Sequence, residues 1–483
     1  MSSLFSKIVG RPIFLKRKRL FEKINSLPLF HVCFLILVFF LPFQKRYHNT
    51  IKRFSEFAFR KEVFSPFFLH QSLSFYLGDF LLIALLCLSF SSLRGRARDL
   101  FWSKSQKYLT AFLIIMLISI IFSASGGMIW PYYRWIQFAL PALACSFLIG
   151  MPNCERLIKI TFWLLLAGGL LQFLIVVDQY ILQEAVGLRQ LGEAKIHYES
   201  SASFLMRSKM RWIFDNWLGK THSSILILRP YGTLFHPNVL GAFLGMTIFA
   251  SSYLFLTSQK KMLFGGAILL QIFALFLSFS RGAIFGLVGG GLVFFTLLLT
   301  RKEWRKLAVQ LITIYLLGST LSLGILHEQF ISRGGVVNYS GAAKESDSNR
   351  LRFQKMAFRM AKERPMLGHG LDQYEQQIPR FVDPKSGHEV QRVHNAYLII
   401  LTEMGGLGLL AFLGFFCSLF YWTLRKGLDL IGITLVTILV YFLWIGCVDQ
   451  LMIACYAPRM MLFIMMGLLA AHVLGKEISF FKS

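Results

Sequence analysis

The sequence has few acidic residues and lacks the residue patterns of a metal site. Only 24 of its 483 residues are Asp or Glu, and no Asp-x-Asp pair occurs. The seven cysteines have no C-x-x-C spacing and lie in or beside apolar runs, which is typical of small core residues rather than of disulfides or metal ligands. His369, His388 and His394 are irregularly spaced. We therefore expect neither a metal nor another cofactor.

We also expect no cleavable signal peptide, whereas long apolar runs are abundant. The basic stretch at 16–19 precedes an apolar run without a small-residue cleavage site, which indicates an anchor held inside by charge. Hydrophobic residues make up 55% of the chain, and the mean hydropathy is +0.58. A soluble domain of this size cannot bury so much apolar surface. The sequence therefore predicts an all-α polytopic membrane protein.

Twelve apolar runs have lengths suited to helices that cross a bilayer of about 30 Å. The glycine-rich run at 282–299 additionally predicts close helix–helix packing. No internal repeat is evident in the sequence. The predicted spans are 29–43, 73–90, 108–122, 130–150, 157–182, 237–256, 262–279, 282–299, 307–326, 406–424, 428–448 and 456–474.

The distribution of positive charge predicts the orientation. Lys and Arg outnumber Asp and Glu to give a net charge of +27, and they concentrate in the short loops after even-numbered spans. Such loops remain on the cytoplasmic side, so both termini are expected to be cytoplasmic. The basic first outer loop, 44–72, departs from this rule, and we interpret it as lying in the membrane interface. No nucleic-acid-binding module accompanies the charge, so nucleic acid is not an expected partner.

Two long segments, 183–236 and 327–394, fall on the outer side in this topology. Within 349–363 an apolar face alternates with a basic stripe at helical spacing. This pattern predicts an amphipathic helix suited to an anionic bilayer surface or to a phosphorylated ligand. The apolar face comprises Phe353, Met356, Ala357, Met360 and Ala361, and the basic stripe comprises Arg352, Lys355, Arg359 and Lys362.

Three boundary motifs contain residues that suit chemistry on a phosphorylated substrate. Arg229 opens R-P-Y-G-T-L-F-H-P-N, whose prolines and glycine predict irregular backbone that could face a ligand or simply begin a helix. Arg281 lies in the turn S-F-S-R-G, where an arginine can grip phosphate or extend to water. His394 begins H-N-A-Y-L-I-I-L-T-E-M-G-G-L-G and could accept a proton or be an ordinary polar residue.

Together these motifs resemble the O-antigen ligase and polymerase superfamily. The four ordered motifs are 229–241, 278–282, the stretch R-x-R-F-x-x-M-A-x-x-M-A-x-E-R-P-M-L-G-H-G at 350–370, and 394–408. The resemblance covers roughly 229–408, and the first five spans match only in number and hydropathy. It implies a bacterial inner-membrane glycosyltransferase of lipopolysaccharide biosynthesis. Such an enzyme moves a glycan from undecaprenyl diphosphate to an acceptor hydroxyl at the periplasmic face, in the ligases to a sugar of lipid A-core.

The resemblance also implies roles for individual residues. Arg281 and Arg229 match arginines that bind the donor diphosphate, and His394 matches the general base for the acceptor hydroxyl. Arg350 and Arg352 match the arginine that precedes the amphipathic helix. The chain departs from the family in having His236 before Pro-Asn. The remaining candidate substrate-binding residues are His236, Asn238 and Asn395.

The implied reaction is direct attack with inversion at the anomeric carbon, without a metal or a covalent intermediate. Guanidinium groups would stabilise the negative charge of the departing lipid diphosphate. The implied organisation is a basic cytoplasmic segment 1–28, helices one to five in 29–182, a periplasmic loop 183–236, helices six to nine in 237–326, a second periplasmic loop 327–394, and helices ten to twelve with the cytoplasmic C-terminus in 395–483.

Alternative functions stay open at the level of the sequence. A polymerase or a protein O-oligosaccharyltransferase of the same superfamily would use the same motifs with a different acceptor. A secondary transporter or lipid flippase would suit twelve spans and the intramembrane residues Asp79, Arg134 and Asp178, for which we expect packing or pairing roles. A non-catalytic assembly scaffold would not require His394 and the two arginines.

Overall fold

The chain folds as a bundle of helices with two short antiparallel strand pairs. The structure is a computed structural model that describes residues 29–43, 45–48, 74–93, 105–123, 129–149, 154–194, 205–207, 226–333, 341–381 and 392–480. The helices are α1 (Leu29–Phe39), α2 (Leu77–Leu93), α3 (Gln106–Ile121), α4 (Ile129–Ile149), α5 (Cys154–Leu182), α6 (Pro237–Thr257), α7 (Lys261–Leu277), α8 (Arg281–Leu299), α9 (Arg305–Arg333), α10 (Gly341–Glu363), α11 (Tyr374–Gln377), α12 (Ala396–Lys426), α13 (Leu430–Val448), α14 (Leu451–Ala454) and α15 (Tyr456–Phe480).

The short strands lie in or beside two segments that are predicted to be on the outer side. Strands β1 (Arg46–His48) and β2 (Ser74–Tyr76) pair antiparallel, and so do β3 (Leu205–Arg207) and β4 (Leu226–Leu228). The first pair joins the two ends of the predicted basic outer loop. The interfacial placement predicted for the rest of that loop lies outside the described residues.

Among the described residues, seven helices are long and apolar enough to cross a membrane, which fits a multi-pass membrane protein. They are α5, α6, α8, α9, α12, α13 and α15, and four shorter apolar helices accompany them: α1, Leu77–Leu88 of α2, α3 and α7. Each of the twelve predicted spans falls on a helix. The number of membrane crossings and the periplasmic placement of the two long loops stay predictions.

The largest differences between predicted and observed boundaries are at the end of α9 and the start of α12. Helix α9 continues to Arg333, past the predicted end at 326, so the second long loop begins later than expected. Helix α12 begins at Ala396 rather than at 406, because Asn395 caps it and the helix is only interrupted at Gly405, where φ is 68°. The span was predicted to start at Gly406, whereas the structure has a kink at Gly405 within a longer helix.

Helices α6 and α15 form the centre of the bundle, where their apolar spans are buried along their whole length. Glycines allow α6 and α8 to pack closely on Tyr441 of α13. A Cβ on Gly245 of α6 would lie 2.2 Å from the Tyr441 ring, and one on Gly286 of α8 would lie 2.9 Å from the same ring. The Tyr441 hydroxyl donates to Gly241 O at 2.7 Å. The predicted close packing of the glycine-rich helix α8 is thus present and joins α6, α8 and α13.

The predicted amphipathic helix corresponds to the second half of α10, and its apolar face is buried in the protein. The chain after it forms a short strap, residues 365–370, that docks into the kink of α12. Gly406 N donates to Pro365 O at 2.7 Å, His369 N to Thr402 O at 2.9 Å, and Gly370 N to Glu403 O at 2.9 Å. The motif M-L-G-H-G therefore packs on the motif T-E-M-G-G. Burial lowers the pKa of His369, whose Nε2 lies 3.0 Å from Met360 O.

Candidate active site

The loop that carries Arg229 is fixed by two buried glutamines of α5. Tyr231 N and Gly232 N donate to Gln179 Oε1 at 3.0 and 2.8 Å, and Thr233 N donates to Gln172 Oε1 at 3.0 Å. Gly232 has φ of 62°, and a Cβ there would lie 2.0 Å from Gln172 Oε1. The side-chain oxygens of Gln179 and Gln172 thus accept hydrogen bonds from the irregular R-P-Y-G-T backbone and hold this loop against the bundle.

Arg229 is buried and connects the start of α6 to the turn between α7 and α8. Its Nη2 donates to Asn238 Oδ1 at 3.0 Å, to Ser278 O at 3.2 Å and to Phe279 O at 3.5 Å. These last two carbonyls lie in the turn that precedes Arg281. Arg229 therefore shapes the turn that presents Arg281.

The first turn of α6 combines a histidine cap with a bridging asparagine. His236 is the N-cap, and its Nδ1 accepts from Asn238 N at 3.1 Å, while Pro237 occupies the first helical position. Asn238 Nδ2 donates to Asp449 Oδ2 at 2.8 Å. Asn238 thus contacts Arg229 through its oxygen and Asp449 through its nitrogen.

Asp449 lies between Asn238 and His394. Its Oδ1 is 3.6 Å from His394 Nδ1 and accepts from Gln450 N at 2.7 Å. Burial acts to raise the pKa of Asp449, but His394, His236 and the Gln450 N–H outweigh it, and the pKa is lowered overall. The carboxylate is therefore ionised at neutral pH and faces Nδ1 of a half-buried imidazole. We refer to Arg229, Asn238, Asp449 and His394 as the polar chain.

Arg281 begins α8 beside the polar chain. Ser280 caps this helix by accepting from Ala283 N at 3.4 Å. A Cβ on Gly282 would lie 3.1 Å from Val448 Cγ2, next to Asp449 in sequence. The half-buried Arg281 thus lies at a helix N-terminus that packs against the end of α13. Both its own charge and the helix dipole favour an anion there.

His394 is positioned by contacts on both of its sides. Asn395 caps α12 by accepting from Leu398 N at 3.0 Å, and its Nδ2 donates to Cys447 O at 2.9 Å. Upstream, Arg392 donates to Asp372 Oδ1 and Glu375 Oε1, both at 2.8 Å. Burial acts to lower the pKa of Arg392, but the two carboxylates outweigh it and raise the pKa. These contacts fix the end of the second long loop where it enters α12.

Two further arginines hold the turn that follows Asp449. Arg134 Nη2 donates to Ile453 O at 2.7 Å and to Ala454 O at 2.8 Å, and Arg459 Nη1 donates to Ile453 O at 3.2 Å. Both guanidinium groups also donate to Gln137 Oε1 at 3.2 Å. The one-turn helix α14 is therefore clamped at its carbonyl end, as expected for cations at a helix C-terminus. This contact gives Arg134 a packing role.

The structure brings most of the predicted site residues together. Arg229, His236, Asn238, His394 and Asn395 converge on Asp449 or on the ends of the helices beside it. Arg350 and Arg352 lie half-buried on α10, which packs against α12. Among the described residues, no group of three or more His, Cys, Asp and Glu is arranged to hold a metal ion.

Asp449 belongs to the candidate site, and no sequence motif pointed to it. It follows directly on an apolar span, in a short loop on the same predicted side as His394. An acidic residue at such a boundary, on the side where a candidate base lies, was the available signal.

The arrangement combines a base, its ionised partner and cations. An imidazole whose Nδ1 faces a carboxylate can keep Nε2 free to accept a proton. A helix N-terminus with an arginine can hold a phosphate group. These groups suit proton abstraction from a hydroxyl next to a bound anion.

One family model matches part of the chain. A search of curated proteins finds no matching relative. The family model described as O-antigen ligase matches residues 266–413, from within α7 to within α12, and includes Arg281 and His394. This match supports a membrane glycosyltransferase of the ligase and polymerase type. The resemblance to the O-antigen ligase superfamily found in the sequence motifs is confirmed for residues 266–413.

Proposed function

We propose that the chain transfers a glycan from undecaprenyl diphosphate to an acceptor hydroxyl at the periplasmic face, with a sugar of lipid A-core as the acceptor. One observation carries the proposal: the polar chain joins Arg229 to His394 and lies against the helix start that bears Arg281. A base and cations beside one another suit a reaction in which a hydroxyl loses a proton while a phosphate leaves.

His394 acts as the general base in this proposal. The Asp449 carboxylate, 3.6 Å from His394 Nδ1, favours the tautomer with the proton on Nδ1. Nε2 then keeps its lone pair and takes the proton of the acceptor hydroxyl. The resulting oxygen attacks the anomeric carbon on the side opposite the diphosphate. A new carbon–oxygen bond forms as the bond to the diphosphate oxygen breaks, and the configuration inverts.

Arg281 stabilises the leaving group. The electron pair of the broken bond departs with the lipid diphosphate, and the guanidinium and the N-terminus of α8 offset the growing negative charge. Arg229 supports this role indirectly, because its guanidinium is engaged with Asn238 and with the carbonyls of the turn before Arg281. The donor is already activated, so the reaction requires no nucleotide.

The proposal can be tested in cells whose own copy of the gene is deleted and replaced by variants. His394→Ala is expected to lower glycan attachment about 10²–10⁴-fold, as for the loss of a general base. Arg281→Ala is expected to lower it about 10²–10³-fold. The matched control is His327→Ala, a surface histidine of α9 that should retain normal attachment. Normal attachment by the inserted His394→Ala protein would overturn the assignment.

The material that accumulates in the deletion strain distinguishes the acceptors. Undecaprenyl-linked long chains are expected if the chain is a ligase. Single lipid-linked repeat units would instead indicate a polymerase, and loss of glycan from proteins alone would indicate a protein O-oligosaccharyltransferase.

A further inference from the structure

Helix α10 has a second face that no other part of the described structure covers. Leu351, Lys355, Phe358 and Lys362 follow one another at steps of four, three and four residues, so they share one side of the helix. Leu351 and Phe358 are 56% and 53% exposed, and Lys355 and Lys362 are exposed as well. The opposite side, with Phe353, Met356, Ala357, Met360 and Ala361, is buried in the protein.

This outward face is basic as well as apolar. Residues 350–364 contain six basic side chains and a single acidic one, Glu363. Arg359 is exposed beside Lys355 and Lys362. Exposed aromatic and aliphatic groups in line with cations are unusual on a surface that faces only water. They are typical of a helix that lies in the bilayer interface.

The C-terminal end of α10 lies level with the ends of membrane helices. Arg364 Nη1 donates to Phe122 O at 3.4 Å, at the end of α3, where the Phe122 side chain is 67% exposed. Leu407 N donates to Met366 O at 3.3 Å, where α12 resumes after its kink and Leu410 is exposed. Met366 itself is 61% exposed. The exposed face of α10 is thus continuous with apolar side chains that lipid would cover.

We propose that the outward face of α10 lies in the membrane interface and binds the phosphate groups of anionic phospholipids. Phe358, Leu351 and Met366 reach the boundary of the acyl chains. Lys355, Arg359 and Lys362 extend along it to the headgroup phosphates. Because α10 packs on α12 and its strap docks into the α12 kink, this contact fixes the height of His394 relative to the bilayer. The inference is independent of the reaction that the site performs.

The first test measures the depth of position 358 in the purified full-length chain in nanodiscs. A ketone-bearing phenylalanine analogue at 358 accepts a nitroxide without removal of the native cysteines. We expect this nitroxide to relax more with oxygen, which dissolves in lipid, than with a water-soluble nickel complex. A label at the exposed Arg380 position, in the loop, serves as the aqueous control and should show the reverse preference. Equal nickel accessibility at 358 and 380 would overturn the proposal.

The second test measures lipid binding to the protein in detergent by native mass spectrometry. Phosphatidylglycerol should bind more tightly than phosphatidylcholine. The variant Lys355→Gln/Arg359→Gln/Lys362→Gln should lose about fivefold in phosphatidylglycerol affinity for each charge removed. The matched variant Arg301→Gln/Lys302→Gln/Lys306→Gln carries the same charge change on the opposite predicted side. In this control variant, in phosphatidylglycerol nanodiscs, the nitroxide at position 358 should keep the parent's preference for oxygen over the nickel complex.

Two results would contradict lipid binding by this face. One is an unchanged phosphatidylglycerol affinity in the α10 variant. The other is displacement of bound phosphatidylglycerol by inorganic phosphate, which would indicate a site for a soluble phosphate ligand.

Discussion

Asn238 Nδ2 donates a 2.8 Å hydrogen bond to Asp449 Oδ2, across 211 positions of the sequence. The same asparagine accepts from Arg229, and the same carboxylate faces His394. The bond therefore joins the arginine side of the candidate site to its histidine side. It also ties the first turn of α6 to the end of α13.

Replacement of Asn238 should uncouple these two sides. Asn238→Ala removes the donor to Asp449 Oδ2, a loss of about 1.5–3 kcal/mol. We expect transfer activity to fall by about 10- to 100-fold while the protein is inserted in the membrane. Asn238→Asp should be more severe, because it places a second carboxylate against Asp449. The measurement is glycan attachment per inserted protein. Equal activity of Asn238→Ala and the parent would show that the bond is not needed.

Asp449 should contribute to stability in a pH-dependent manner. Its pKa is lowered in the folded protein, so its stabilising contribution is fully present above its unfolded pKa of about 4. The contribution is lost as the pH falls through the lower folded value. We therefore expect Asp449→Asn to lower the thermal unfolding temperature at pH 7, and the difference from the parent to shrink below about pH 4. A difference that grows on acidification would contradict the ionised state of Asp449.

The same substitution should change catalysis through His394. Without the carboxylate, the Nδ1 proton is no longer held, and the imidazole can adopt the tautomer that blocks Nε2. We expect Asp449→Asn to lower kcat more than it raises KM, with a shifted pH profile. Asp449→Glu should restore part of the activity. A loss confined to the amount of inserted protein would reduce Asp449 to a structural residue.

The kink of α12 should require glycine at 405. This residue has φ of 68°, and a Cβ would lie 2.2 Å from the backbone of Met366. Gly405→Ala is therefore expected to destabilise the protein by about 1–3 kcal/mol and to displace the strap at 365–370. Gly324→Ala is the control, because its Cβ would meet no atom within 4 Å. The readout is the thermal unfolding temperature in detergent, and equal values for the two variants would refute the role of Gly405.

Gln179 should be needed to hold the Arg229 loop. Gln179→Ala leaves the buried N–H groups of Tyr231 and Gly232 unsatisfied, at a cost of about 1–3 kcal/mol each. We expect lower thermal stability together with faster proteolysis near 229–233. Gln259→Ala, at an exposed glutamine, is the matched control and should behave like the parent.

The sequence contains enough information to locate the helices and most of the site residues. Each of the twelve apolar runs predicted from hydropathy overlaps a helix of the described structure, because apolar length is a local property of the chain. Periodicity predicted the buried face of α10 for the same reason. Motif resemblance identified Arg281 and His394, which the family match includes.

What the sequence did not reveal depends on contacts between distant segments. Asp449 can be recognised as a site candidate only in the fold, where α6, α12 and α13 bring it next to Asn238 and His394. In the sequence, the Gly405–Gly406 pair only interrupts an apolar run. The structure shows that residues 365–370 dock there and that the pair forms a kink within a longer helix. The clamp by Arg134 and Arg459 likewise joins helices that are more than 300 residues apart in sequence.

The most direct test of a site shared by Arg281 and His394 is whether residues 281 and 394 face the same compartment. Single cysteines at these positions, in a variant without the native cysteines, can be probed in intact cells with a thiol reagent that crosses the outer membrane but not the inner membrane. We predict that both cysteines react before the inner membrane is permeabilised, and that a cysteine at the predicted cytoplasmic position 302 reacts only afterwards. Reaction of 281 and 394 from opposite sides would contradict a shared site.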